Sequence, residues 1–292
     1  MRITKTGKVL GVTNDKSIRT LDANQQLHSQ LAPQYETDEP HFRPENRSKV
    51  RDRMRSVSKI SGNCEVMVDL GCGTGFLEEL APEEFKVIYG VDATDAMLEI
   101  LRGKNIPRVE IIRAPVEDIP LRDGIADLVT GYSVLDHFED SKRVFGEAAR
   151  LLRPDGVFYM DLIPNGEFWQ GIRRIASRQK SLHPIVEREI LEVASHSQKI
   201  YERYGVPQEV LAAAEPHKEL TDGFFVEELA ASLLASGFVD VQIHYEWFLG
   251  EATVLHGDGL NTAAIVAEHL RRLSPLSNHL FKYLWFTGRR NS

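Results

Sequence analysis

The chain has 292 residues, of which 42% are hydrophobic and 27% charged, so it can bury a sizeable core and is not predicted to be disordered. Its formal net charge of −8 disfavours non-specific binding to nucleic acid or to an anionic membrane, because such binding depends on neutralising phosphate charge. Two cysteines are too few for a disulfide scaffold and no apolar stretch approaches the roughly 20 residues that cross a bilayer, so we expect a cytoplasmic protein without a membrane segment.

The first 60 residues contain one clear helical pattern. Short alternations allow a small hairpin or a mobile segment within residues 1–24, and residues 27–46 are rich in turn-forming residues. An arginine-rich run follows at residues 47–59. Val50, Met54 and Val57 give that run an apolar helical stripe, so we interpret its charges as a solvated helix face.

The most informative segment, residues 66–75, passes from an apolar strand into a glycine-rich turn. Gly71, Gly73 and Gly75 carry no Cβ, so the turn can be sharp and a ligand can approach its backbone N–H groups. The apolar positions 76, 77 and 80 then predict an amphipathic helix. A dinucleotide loop would have glycine in place of Phe76, and a P-loop would end in Gly-Lys-Ser/Thr, so neither device is indicated.

Asp69 lies two residues before the first glycine of this turn. Its carboxylate would repel a diphosphate and attract an ammonium or a sulfonium group. The segment therefore predicts a site for a nucleoside that carries a positive charge.

The second half of the chain predicts more helices and two further strands. Residues 165–221 form an insertion with helical character, and residues 225–237 predict a helix that stops at a glycine. Residues 239–247 alternate with period two, and residues 280–288 predict another strand.

Five segments, in order, resemble the motifs of class I S-adenosylmethionine-dependent methyltransferases. The glycine turn at 69–75 resembles the first motif. The others are residues 86–92 (second strand, ending in an acid), 109–112 with 115–120 (third strand and adenine loop), 125–138 (fourth strand and its loop) and 151–161 (turn into the fifth strand). Together the matches cover residues 46–165.

This resemblance implies an α/β fold, with a Rossmann-like, seven-stranded, mostly parallel sheet flanked by helices and a helical cap insertion. The implied parts are an N-terminal extension and cofactor lid (1–45), an S-adenosylmethionine-binding core (46–165), a helical cap insertion (166–221) and a C-terminal completion of the core sheet (222–292). In the family an insertion at that place commonly caps the acceptor pocket.

The implied activity is in-line transfer of a methyl group from S-adenosyl-L-methionine to a small-molecule acceptor. The acidic charge and the long insertion favour a small acceptor over protein or RNA. A non-catalytic module that binds S-adenosylmethionine is a third interpretation, and self-association as a homo-oligomer is left open.

The resemblance also implies the cofactor-binding residues. Asp92 would accept hydrogen bonds from both ribose hydroxyls. Pro115 stands where the family often has an acid, so adenine recognition is assigned to Val116 and Glu117. Tyr35 and Arg43 would close over the methionine moiety, with anchoring of an irregular segment as the alternative. The full predicted set is Tyr35, Arg43, Asp69, Gly71, Cys72, Gly73, Gly75, Asp92, Ala93, Met97, Val116, Glu117 and Tyr132.

Two residues are catalytic candidates. A base is needed only if the acceptor must lose a proton. His137, just after the fourth predicted strand, has an ordinary pKa of about 6.5 that suits this role, and structural packing within the loop is the alternative. Asp161, at the end of the fifth strand, would orient the acceptor or cap the following turn. No metal is predicted, because neither a His-x-x-x-His nor a Cys-x-x-Cys pair is present.

Overall fold

The computed structural model describes residues 15–62, 64–178, 182–217 and 223–292. The strands in these ranges are β1 (Val66–Leu70), β2 (Val87–Asp92), β3 (Val109–Arg113), β4 (Ala126–Tyr132), β5 (Leu152–Pro164), β6 (Phe238–Phe248) and β7 (Phe281–Arg290). They form one sheet in the order β3-β2-β1-β4-β5-β7-β6.

The α-helices of the described ranges lie between and around these strands. They are α1 (Asp15–Leu31), α2 (Tyr35–Asp38), α3 (Pro44–Ser61), α4 (Asp95–Lys104), α5 (Ser141–Leu151), α6 (Gly166–Arg178), α7 (Pro184–Tyr204), α8 (Gln208–Ala214), α9 (Val226–Ala235), α10 (Glu251–Asp258) and α11 (Leu260–Arg272). None of them is long and apolar enough to span a bilayer.

The sheet is mostly parallel, as predicted. Strands β1 to β5 pair in parallel, whereas β7 is antiparallel to both β5 and β6. The central strands are short apolar runs buried on both faces: four of the five residues of β1 are buried, as is every residue of β4 before Tyr132. The carboxyl ends of β1, β2 and β4 therefore meet at one edge, where such folds bind ligands.

Residues 76–80 differ from their prediction, because they form a run of turns and not an α-helix. Their apolar side chains are nevertheless buried. The backbone hydrogen bonds are isolated, from Glu79 N to Gly75 O (3.2 Å) and from Leu80 N to Leu77 O (3.0 Å). Pro82 follows at once, so too few residues are available to propagate a helix.

The N-terminal segment is helical where the structure describes it. The hairpin considered for residues 1–24 is wrong for residues 15–24, which belong to α1, and residues 1–14 lie outside the described residues. Ala23, Leu27 and Leu31 recur every fourth residue, and this stripe of α1 packs against Leu211 and Ala214 of α8. We call α1 and α8 together the lid.

Candidate functional site

The turn after β1 is tied to the end of β2. Gly71 N–H and Cys72 N–H both donate to Val91 O, at 2.8 and 3.0 Å. Gly71 has a φ of 70°, and a Cβ at this position would overlap Val134 Cγ2. Only glycine therefore lets the turn pass this close to the loop that follows β4.

Asp92 ends β2 and faces the glycine turn. Its Oδ2 accepts a hydrogen bond from Gly73 N–H (3.1 Å), and its Oδ1 accepts one from Thr94 N–H (2.7 Å). Gly73 has a φ of 53°, and a Cβ there would meet no atom within 4 Å, so the turn leaves open space beside the carboxylate. Two backbone donors thus fix the orientation of an acid that borders a cavity.

This cavity, of about 200 Å³, lies beyond the carboxyl ends of β1, β2 and β4. Most of the predicted site residues border it, namely Tyr35, Gly71, Gly73, Asp92, Ala93, Met97, Val116, Glu117, Tyr132 and His137. The predicted residues Arg43, Asp69, Cys72, Gly75 and Asp161 lie outside its lining.

The loop after β4 reaches the cavity through a strained residue. Ser133 has a φ of 52°, a conformation that costs a non-glycine residue about 1–2 kcal/mol. Its N–H donates to the Asp161 carbonyl at 3.1 Å, so the end of β5 holds the turn in place. This contact keeps Tyr132, Ser133 and Val134 on the wall of the cavity.

Within the lid, α1 borders the same cavity and is hydrogen-bonded to the loops around it. Asn24 Nδ2 donates to the His137 carbonyl (3.1 Å), and Gln25 Nε2 donates to the Ala93 carbonyl (3.0 Å). α1 therefore contacts the loop after β2 and the loop after β4 at once.

Two histidines meet at the cavity wall. The rings of His28 in α1 and His137 have centroids 5.0 Å apart and cross at 71°. His28 Nδ1 lies 3.0 Å from Asn24 O, and His137 Nδ1 lies 3.0 Å from Ala214 O. A carbonyl only accepts, so we assign the proton of each ring to Nδ1 and a lone pair to each Nε2. Burial, reinforced by the His137 ring, lowers the pKa of His28.

Beneath the glycine turn lie two buried carboxyl groups, Asp69 and Glu78, each 2% exposed. Thr130 Oγ1 donates to Asp69 Oδ1 at 2.7 Å. Burial raises the pKa of Asp69 to about 7. Burial and the neighbouring Asp69 raise the pKa of Glu78 well above its ordinary value.

This carboxyl pair predicts that stability depends on pH. Because the folded pKa values are raised, the folded chain holds more protons than the unfolded chain between about pH 4 and pH 7, and stability falls as the pH rises through that window. Glu78→Gln removes one titrating group, so it should flatten this fall and leave the thermal midpoint at pH 8 no lower than that of the wild type. Thermal unfolding at several pH values measures it, with exposed Glu99→Gln on α4 as the control. A fall as steep as in the wild type would contradict the assignment.

Cys72 and Gly75 pack against α4, on the side of the turn away from the cavity. The Cys72 side chain is buried against Leu98 and Leu101 of α4. Gly75 has a φ of 96°, and a Cβ there would overlap Leu101 Cδ1. Both residues shape the turn without bordering the cavity.

Asp161 and Arg43 lie away from the cavity. The Asp161 carboxylate, 3% exposed, pairs with Arg53 of α3 and accepts a hydrogen bond from Tyr159 Oη (2.5 Å). Glu246 of β6 pairs with the same guanidinium at 2.7 Å. The Asp161 side chain thus belongs to an ionic cluster beside α3, and Arg43 is exposed just before that helix begins.

Sequence reasoning missed the polar stripe of α1. Thr20, Asn24 and His28 recur every fourth residue, so they share one side of the helix, and all three border the cavity. The spacing is visible in the sequence, but a polar stripe on a helix ordinarily faces solvent. Packing of the adjacent apolar stripe on α8 turns these side chains inward.

A family model described as a methyltransferase domain matches residues 68–160. This range runs from β1 into β5 and contains the glycine turn, Asp92 and His137.

Individual proteins show the same similarity. A protein of Mycolicibacterium smegmatis, named as a probable S-adenosylmethionine-dependent methyltransferase, is 29% identical over 124 residues, which are 42% of this chain and 46% of that protein. A ubiquinone biosynthesis O-methyltransferase of Bordetella avium is 26% identical over 194 residues, which are 64% of this chain and 75% of that protein. The chain thus spans less than half the length of the first relative.

The crystal structure of an S-adenosylmethionine-dependent methyltransferase from Thermotoga maritima has the same fold. It is 17% identical, has a TM-score of 0.52, and the match covers 91% of this chain and 99% of that one. The methyltransferase domain matched at residues 68–160, the similarity to proteins named as methyltransferases and the mostly parallel seven-stranded sheet together support a class I S-adenosylmethionine-dependent methyltransferase.

Proposed function

We propose that this protein transfers the methyl group of S-adenosylmethionine to a small-molecule acceptor that binds between the glycine turn and the lid. The main support for the proposal is that one cavity is bordered by two sets of residues. Residues assigned to the cofactor border it together with three polar side chains of α1.

The lining suits the cofactor of the family. The backbone donors at Gly73 and Thr94 use one hydrogen bond on each Asp92 oxygen, and a carboxylate has further acceptor sites for two ribose hydroxyls. The open space beside Gly73 leaves room for the nucleoside. Val116 and Glu117 border the cavity next to this acid, where the adenine is assigned.

When bound, S-adenosylmethionine supplies a methyl group on a positively charged sulfur. The protein then has to align the acceptor, exclude water and, where needed, hold a proton. Alignment at near-attack distance accounts for about 7–11 kcal/mol of barrier reduction in favourable cases. Helix α1, which borders the cavity and is hydrogen-bonded to the Ala93 and His137 carbonyls, would help to exclude water. The Nε2 lone pair of His137 is available to an acceptor that must lose a proton.

The charge of the lining supports a small acceptor over a nucleic acid. Four acidic residues border the cavity, namely Asp92, Glu117, Glu139 and Asp140. In the described part of the lining, Arg143 is the arginine whose charge opposes theirs. A phosphate backbone needs a basic groove, and these acids repel it.

Calorimetric titration with S-adenosylmethionine and S-adenosylhomocysteine tests the cofactor assignment. The wild type should bind both, and Asp92→Ala should weaken binding by about 10- to 100-fold, because a hydrogen bond to a charged group contributes about 1.5–3 kcal/mol. Asp95→Ala is the matched control, since that side chain is 52% exposed and pairs with Arg113 at 3.0 Å. A folded wild type that binds neither ligand would remove the proposal.

A label-transfer screen then tests the acceptor class. The protein is incubated with methyl-labelled S-adenosylmethionine and separate metabolite, protein and RNA fractions. The proposal predicts label in the metabolite fraction. Label in protein or RNA would support a macromolecular acceptor, and S-adenosylhomocysteine binding without transfer to any fraction would support a non-catalytic module.

A further inference from the structure

Among the described residues, no donor reaches three hydrogen-bond acceptors at the cavity. The Nδ1 protons of His28 and His137 are engaged by backbone carbonyls, which leaves both Nε2 lone pairs. The buried Asn24 Oδ1 has no hydrogen-bond partner among the described residues, while Asn24 Nδ2 donates to the carbonyls of Thr20 and His137. A ligand that satisfies these atoms must bring O–H or N–H groups.

We propose that His28 and His137 form a paired base for an acceptor whose methylated atom carries a proton, as an O–H or N–H group. The inference rests on the proposed function and narrows its substrate class. Acceptors that need no base, such as thioethers and tertiary amines, would leave the two lone pairs and Asn24 Oδ1 without a donor.

The chemical step balances with these groups alone. The acceptor heteroatom bonds to the methyl carbon as the carbon–sulfur bond breaks and the sulfur keeps the electron pair. The proton of the acceptor passes to an imidazole Nε2. The products are the methylated acceptor, S-adenosylhomocysteine and one imidazolium, which returns its proton to water after the products leave.

Each of the two rings disfavours a positive charge on the other. With centroids 5.0 Å apart, a charge on one imidazole opposes a charge on the other, and after burial the His137 ring is the next cause that lowers the pKa of His28. Asp92 and Glu215 favour the protonated form of His28, but burial outweighs them and lowers its pKa, so the ring is ready to accept a proton at neutral pH. Among the described residues, the titratable groups around the two rings include Tyr35, Asp92, Asp136, Glu139, Glu215 and His217.

The test is long-range ¹H–¹⁵N NMR of the full chain labelled with ¹⁵N-histidine, with the two rings assigned from His28→Gln and His137→Gln. At pH 7.5 both rings should show a protonated Nδ1 and an unprotonated Nε2, the reverse of the tautomer that free histidine prefers in water. A protonated Nε2 in either ring at that pH overturns the proposal.

A second NMR measurement tests the electrostatic interaction between the two rings. Removing the neighbouring ring in His137→Gln should raise the pKa of His28, because the His137 ring is one of the groups that lower it. His256→Gln, on the exposed side of α10, should leave both rings unchanged. A His28 titration that does not respond to His137→Gln overturns the pairing. If either glutamine variant fails to fold, the asparagine variant takes its place.

Titration with S-adenosylhomocysteine separates the paired base from a cofactor contact. His28→Gln should keep the wild-type affinity within about threefold, whereas Asp92→Ala should lose it. A loss in His28→Gln equal to that of Asp92→Ala would assign the ring to the cofactor and overturn the proposal. Absence of binding to the wild type would instead remove the proposed function, on a readout independent of the tautomers.

Discussion

Replacement of Arg53 by methionine is expected to lower the free energy of unfolding by about 3–5 kcal/mol, because it leaves the buried Asp161 carboxylate without its cation and removes one of three cations around Glu246. The Arg53 side chain is 11% exposed and pairs with both Asp161 and Glu246. Its guanidinium also lies over the Trp285 ring, 4.4 Å from the centroid. Methionine replaces part of the packing volume but none of the charge.

The loss should depend on pH with a definite sign. Burial raises the pKa of Glu246, but Arg53, Lys49 and Arg271 outweigh it and lower that pKa to about 2. A lowered pKa stabilises the folded chain above the unfolded value near 4.3, and this contribution is lost as the pH falls towards 2. The deficit of Arg53→Met should therefore be largest above about pH 5 and shrink in acid.

Urea unfolding at pH 7 and pH 4 measures both effects. Arg55→Met is the matched control, because its side chain is 62% exposed and pairs with Asp52 at 3.5 Å. A surface change of this kind is expected to stay within about 0.5 kcal/mol. A deficit in Arg53→Met no larger than in Arg55→Met would show that the buried cluster does not need this cation.

Gly71→Ala is expected to weaken S-adenosylhomocysteine binding by about tenfold or more. The φ of 70° strains an alanine by about 1–2 kcal/mol, and the overlap with Val134 Cγ2 adds an overpacking cost of about 1–3 kcal/mol. Both the turn and Val134 border the cavity, so relieving the overlap moves its wall.

Calorimetry and thermal unfolding separate strain from overlap. Gly62→Ala also places an alanine at a positive φ, 72°, but its Cβ would meet no atom within 4 Å. It should lose stability without losing ligand affinity. Adding Val134→Ala to Gly71→Ala should restore part of the binding, and a double mutant that binds no better than Gly71→Ala would contradict the contact.

The sheet and the cavity wall formed by the glycine turn and Asp92 were predictable because the sequence patterns that indicate them are local. A glycine turn after a buried strand and an acid at the end of the next strand place Gly71 and Asp92 at one edge of a parallel sheet, wherever the helices pack. The turn run at 76–80 was not predictable from periodicity, since burial of its apolar positions does not require a continuous helix.

Asp161 illustrates what strand patterns leave undetermined. Its place near the end of β5 was predicted, and it pairs in register with Tyr132 of β4. The strand pattern does not determine on which face of the sheet the Asp161 side chain lies. Its pairing with Arg53 depends on how α3 packs against the sheet. Alternate residues of a strand point to opposite faces of the sheet, and this alternation does not indicate which side chains pack against either face.

The lid lies outside the range that the methyltransferase family model matches, because α1 precedes residue 68 and α8 follows residue 160. Substitutions that reshape the polar stripe of α1 can therefore accumulate while Asp92 and the glycine turn stay unchanged. Under the proposed function, divergence of these two flanking helices would give an evolutionary route to new acceptors while the matched domain is inherited unchanged, and exchanging them between related chains would be the matching route for engineering.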